Sequence, residues 1–171
     1  MPPDRPVLDR PRMPAGYGVP DDLDGLIEWP AVEHRLIDAT SYWLATTRPD
    51  GRPHVVPRWG VWVDGRFFYD GSPDTVHARN LERDPRCVLH LESGDQAVIV
   101  EGRSSRSPSP EPELAQRLSD AFGRKYAERG YRPTAEAWSG PDAGGLGVFT
   151  PLKVLAWFDF PHDVTRLRFG A

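Results

Sequence analysis

Two turn signals, Arg48-Pro-Asp-Gly51 and Asp64-Gly65, punctuate a stretch of β-favouring sequence and constrain the chain more than any other feature. Proline fixes φ at the start of a turn and glycine accepts the positive φ that closes it, so each signal predicts a hairpin. The arms are Ser41–Thr47, a returning strand over Pro53–Val63, and Arg66–Asp70. Alternation along the middle arm puts Val55, Pro57, Trp59, Val61 and Val63 on one face and His54, Val56, Arg58, Gly60 and Trp62 on the other. Pro57 cannot donate to a ladder, so that arm must bulge or lie at a sheet edge.

The same logic extends along the chain. Cys87–Glu92 and Ala97–Ser107 form a hairpin around Ser93-Gly-Asp95, and two further apolar strands are expected at Gly147–Thr150 and Val154–Phe160, followed by a short tail, Thr165–Phe169. Helical spacing appears at Ala31–Thr40, at Asp74–Asp84 (capped by Asp74 or Thr75 and stopped by Pro85) and at Glu113–Arg129. The expected fold is mainly β, a six- to seven-stranded antiparallel split barrel with about three peripheral helices. Residues 1–30 are Pro-, Gly- and Asp-rich and read as an arm, leaving 31–171 as the domain; 130–146 reads as a Gly/Pro-rich loop.

Composition excludes several classes of function. The formal net charge of −4 gives no pull toward nucleic acid, and no apolar run is long enough to span a membrane. The polar, Pro-rich start MPPDRPVLDRPRMP lacks an apolar signal segment, so a cytoplasmic location is expected. The one cysteine, Cys87, sits in an apolar run and reads as a core residue; it rules out an intrachain disulfide and a thiolate cluster. The five histidines are scattered singly, and no metal site or hydrolytic motif is present. What remains is an arrangement: the aromatic strand 53–63, the strand ending Tyr69-Asp70-Gly71-Ser72, and a helix start carrying Thr75, His77 and Arg79. Free amides, a hydroxyl and cations at such a junction suit an anion, and a nearby Trp59 or Trp62 face suits a planar ring.

The block YWLATTRPDGRPHVVPRWGVWVDGRFFYDGSPDTVHARNLERDPRCVLHLESGDQAVIVEG resembles the pyridoxamine-phosphate-oxidase-like superfamily, in particular its actinobacterial flavin/deazaflavin oxidoreductase branch. LATTRPDGRPHVVP, the run Ala78-Arg-Asn-Leu81 with Asp84-Pro-Arg86, and the strand ending Glu101-Gly102 carry the likeness. The resemblance implies a cytoplasmic homodimer acting on a small-molecule substrate, with cofactor sites at the subunit interface. It implies coenzyme F420, a deazaflavin, with FMN as the alternative. One subunit would supply the strand holding Val55, Val56, Pro57, Arg58 and Trp59, with the ring along the Pro57–Trp59 backbone, and the next strand end would contribute Tyr69, Asp70, Gly71 and Ser72. The phosphate would approach Thr75, His77, Arg79 and Asn80. No residue is assigned a catalytic role, because the cofactor carries the chemistry; Arg58, Tyr69 and His54 are the polar groups to follow. FMN-binding relatives place Arg and Lys where this chain has His54, Val76 and His77, and deazaflavin-binding ones keep Lys where His77 stands. That departure leaves open a haem binder, through His54 or His90, or a homologue with an empty site.

Overall fold

In a computed structural model of the chain, residues 5–170 are described; residues 1–4 of the arm and the last residue lie outside them. Among the described residues one antiparallel sheet of nine strands carries three α-helices. The strands are β1 (Val7–Asp9), β2 (Tyr42–Thr47), β3 (Pro53–Arg58), β4 (Val61–Val63), β5 (Arg66–Tyr69), β6 (Arg86–His90), β7 (Ala97–Arg106), β8 (Gly147–Trp157) and β9 (Thr165–Arg168). The helices are α1 (Trp29–Asp38), α2 (Val76–Arg83) and α3 (Pro112–Tyr126). No helix among the described residues is long and apolar enough to cross a membrane.

The sheet runs β1-β9-β8-β7-β6-β2-β3, with β5 also on β8 and β4 on β5. The split occurs at β8. Its first residues, Gly147–Phe149, pair with β5, and Lys153–Ala156 pair with β9, while β7 lies along the whole length of the other edge. The two separate strands expected at 147–150 and 154–160 are therefore one. Pro151 and Leu152 only interrupt it, with a register shift opposite Glu101/Gly102, because proline brings no N–H to the ladder.

The expected single strand Pro53–Val63 is broken at Trp59-Gly60, and β4 leaves β2 to pair with β5. Gly60 passes so close to β5 that a Cβ there would lie 2.4 Å from the Phe67 ring and 2.5 Å from the Phe68 carbonyl oxygen. The Tyr126 hydroxyl of α3 accepts from the Gly60 N–H at 3.0 Å and lies 2.9 Å from the Gly60 carbonyl, holding both polar groups of the break. The side-chain phase survives the break. Up to Arg58 the expected faces hold, with Val55 and Pro57 exposed and Val56 and Arg58 turned inward. Beyond it Trp62, on the same face as Val56 and Arg58, is buried inside its own chain, with its indole N–H donating to Glu33 at 3.1 Å. Pro57 lies on the terminal strand, as its missing donor requires.

Two apolar clusters flank the β4–β5 hairpin. Trp62, Phe67 and Tyr69 point into the barrel with Leu44, Leu89, Val100 and the α1 residues Val32 and Leu36. Val61 and Phe68 face α3, where Leu118, Phe122 and Tyr126 repeat at helical spacing against Trp138 and Leu146 of the 130–146 segment. Cys87 is in the first cluster, and burial pushes its thiol pKa up to about 12, which makes it inert. The N-terminal arm is ordered where described: β1 extends the sheet beside β9, Arg166 and Arg168 both reach Asp9 at 2.8 Å, and Ile27 enters the first cluster. A salt-bridged edge strand could not be read from three residues of sequence.

Candidate cofactor pocket

Strand β5 ends where the chain must cross from sheet to helix, and that crossing makes a pocket of about 440 Å³. One wall is Arg58 and Tyr69 with the backbone of Gly71 and Ser72; a second is the face of α2 that carries His77, Ala78 and Leu81; a third is Ser105 and Arg106 of β7 with Gly145–Gly147. Two glycines let the walls meet. Gly145 has φ +77°, and a Cβ on it would lie 2.3 Å from the Gly71 carbonyl oxygen, so only glycine closes that seam.

Arg58 is the charge inside. Its guanidinium donates to the Asp70 carbonyl and stands 5.3 Å from the centre of the Tyr69 ring. Its Nε–H is buried and has no hydrogen-bond partner, the one such side-chain atom among the described residues. Burial lowers the Arg58 pKa, opposed by Tyr69 and Asp70, but a guanidinium has so high a starting value that it stays charged. His77 is 6% exposed, with Nε2 3.3 Å from the Thr75 hydroxyl. Burial, reinforced by Arg58 and His54, holds its pKa at about 4, so it is neutral at pH 7. Tyr69 is a neutral phenol, raised to about 12 by burial against the opposing hydrogen bond to Ser104 at 2.7 Å. At the mouth Arg106 is paired with Glu82 at 2.6 Å.

Of the residues named from sequence, the fold brings Arg58, Tyr69, Gly71, Ser72 and His77 together around this space. The others lie around it. Thr75 caps α2, accepting from the Ala78 N–H at 3.4 Å. Arg79 is exposed on α2, with no ion pair among the described residues. Asn80 is buried on the opposite side, donating to the Thr46 hydroxyl at 3.0 Å. The Asp70 carboxylate faces away and accepts from the Tyr131 hydroxyl and, at 3.3 Å, from the Trp138 indole. Val56 is inward, whereas Val55 and Pro57 line the outer face of the edge strand. Trp59 stacks on Tyr126 at 4.9 Å and 9° between planes. Ser105, Arg106 and Gly145–Gly147 were not anticipated; the Gly144-Gly145 pair in the long loop was the only trace of them in the sequence. No cluster of potential metal ligands exists among the described residues.

Residues 29–158 match the family described as pyridoxamine 5'-phosphate oxidase. Curated proteins give no sequence match. Among solved structures, a conserved hypothetical protein of Mycobacterium tuberculosis is 23% identical, with a TM-score of 0.59 over 80% of this chain and 88% of that one. A haem-binding protein from Mycobacterium smegmatis is 21% identical, with a TM-score of 0.57 over 85% of this chain and 59% of that one. A structure named F420 reductase is 18% identical, with a TM-score of 0.48 over 81% and 93%, a score too low to support any statement about this chain. At such identities these likenesses establish the fold alone.

Proposed function

The chain belongs to the pyridoxamine 5'-phosphate oxidase family, and on that premise we propose that it is an oxidoreductase using coenzyme F420, in preference to FMN, for hydride transfer with a small organic substrate. The observation that carries the reading is the buried, unpartnered Nε–H of Arg58 in the wall of the pocket under α2. A buried donor left unpaired costs on the order of 1–3 kcal/mol, and an anionic oxygen arriving there removes that cost. The cofactor would supply the hydride chemistry. Arg58, the Gly71-Ser72 backbone and the start of α2 would hold its phosphate, with Pro57 and Arg58 of the terminal strand and the following Trp59 beside the ring. Tyr69, as a neutral phenol bonded to Ser104, walls the site and moves no proton.

Neutral His77 is the reason for ranking F420 above FMN. A short phosphate tail would meet one permanent cation, Arg58, inside the pocket. A longer polyanionic tail can also reach the exposed Arg79 and Arg83 on α2. A homodimer is part of the proposal. The outer face of the sheet carries the row Pro57, Trp43, His90, Ile99 and Leu155 across β3, β2, β6, β7 and β8, with Val55, Ala45 and Val88 in the row beside it, a largely apolar patch of the kind that a second copy covers.

Titration of the purified protein with F420 and with FMN tests the reading. Saturable binding of F420, tighter than FMN, is expected. Arg58→Ala should weaken both by about 1.5–3 kcal/mol, and Arg79→Ala should weaken F420 more than FMN. Binding of neither cofactor, or an Arg58→Ala protein of native melting temperature and unchanged affinity, would overturn it.

A further inference from the structure

A second concavity, of about 850 Å³, opens at the opposite end of β7 and β8, where the N-terminal arm crosses the β6–β7 and β8–β9 turns. It shares no residue with the pocket under α2. Its lining is aromatic and acidic: Tyr17 from the arm, Trp157 at the end of β8 and Phe160 in the turn, with Asp95 and Asp159 beside them and no lysine or arginine. Phe160 meets Tyr17 at 6.4 Å and 87°, and Trp157 at 5.7 Å and 68°, so the three rings stand in different planes around one space. The Trp157 indole N–H donates to the Gly94 carbonyl at 3.0 Å, which fixes that ring. Tyr17 and Phe160 remain 56% and 40% exposed.

The ring next door shows what such a surface attracts. Phe158, also in the lining, carries the Arg35 guanidinium 3.9 Å from its centre. Among the described residues, no cation of the chain lies over Tyr17, Trp157 or Phe160. Of the two carboxylates, Asp159 meets only the exposed His162, at 3.3 Å, and Asp95 has no ion pair among the described residues. Aromatic faces carry a negative quadrupole, so each ring face open to the groove adds to the negative potential of the two carboxylates. An anion would be repelled, and a neutral apolar ligand would gain nothing from the carboxylates. We propose that this groove binds a small organic cation of the quaternary-ammonium kind, with Tyr17, Trp157 and Phe160 contacting its alkyl surface and Asp95 and Asp159 supplying the countercharge.

Calorimetric titration of the full chain with choline at constant ionic strength, beside its neutral isostere 3,3-dimethylbutan-1-ol, is the test. Choline should bind saturably, and the isostere about fivefold or more weakly. Phe160→Leu and Asp95→Asn, each with a native melting temperature, should each weaken choline by about two- to fivefold. F420 affinity should be unchanged in both variants, because the two sites lie at opposite ends of the sheet. Absence of saturable choline binding, equal binding of the isostere, or unchanged choline affinity in the Phe160→Leu protein would each overturn the proposal.

Discussion

Glu82 and Arg106 meet at 2.6 Å across the mouth of the pocket under α2, one from the helix and one from the end of β7. Both side chains are about half exposed, at 52% and 51%, so the pair adds little to stability. Its consequence is electrostatic, since it occupies a guanidinium that an anionic ligand would otherwise meet. Glu82→Gln should tighten FMN and F420 by about threefold at low salt, with the gain shrinking as screening rises. Titrations at two salt concentrations check this, and a weaker or unchanged affinity at both would show that Arg106 does not face the ligand.

His77 should make the fold acid-sensitive. Its folded pKa of about 4 lies below the ordinary 6.5, so the unfolded chain takes up the proton first. The stabilisation is complete above pH 6.5 and is lost as pH falls toward 4, amounting to at most about 3 kcal/mol. Urea melts between pH 7.5 and 4.5 should show stability falling with pH in the parent and a flatter profile in His77→Gln. The same pKa means that His77 does not titrate between pH 6 and 8. His77→Lys should therefore raise affinity for either cofactor equally at pH 6 and pH 8, as titrations at the two pH values would show.

Lys125 should act at the alkaline end. Its ammonium is half-buried, donating to the Ala39 carbonyl and the Tyr42 hydroxyl at 2.7 Å each. Burial lowers its pKa to about 8 from 10.5. Between those values the unfolded chain holds the proton and the folded one does not, so stability rises with pH across that window. Lys125→Met should remove this rise, as urea melts at pH 7.5 and 9.5 would show; an identical slope in the two proteins would refute the assignment.

Gly60→Ala should be severely destabilising, by about 2–4 kcal/mol or more, because its Cβ would enter the Phe67 ring and the Phe68 carbonyl. Gly94→Ala is the control, since nothing lies within 4 Å of its Cβ. Comparable melting temperatures for the two variants would mean that the β3–β4 break does not depend on that close approach.

The proposed homodimer should be visible by light scattering at micromolar concentration, and Trp43→Arg should convert it to monomer without unfolding it. Trp43 is the aromatic to alter because it lies on the outer face, stacked at 13° beside His90. A 19.2 kDa parent species would remove the dimer from the proposal.

What the sequence determined by itself was local. Pro49-Asp50-Gly51 and Asp64-Gly65 specified two hairpins, because φ at proline and glycine is a property of the residue. Asp74 or Thr75 marked the start of α2, where Thr75 is the cap, and the spacing of Leu118, Phe122 and Tyr126 marked α3 and its buried face. Pro57 placed its strand at the edge of the sheet. The resemblance carried by LATTRPDGRPHVVP reached the family, and Arg58 of β3 with Tyr69, Gly71, Ser72 and His77 of the β5–α2 crossing fell around one pocket. Tertiary structure decided whatever depended on partners distant in sequence. The break at Gly60 exists because Phe67 and Tyr126 crowd that position, and it sends β4 away from β2 to pair with β5. The neutrality of His77 follows from burial and from Arg58, and neither can be counted along a chain. Gly145 became a pocket wall only because its backbone meets that of Gly71. Side-chain periodicity fixes which residues share a face, but contacts between elements fix how deep each lies and which charges it meets.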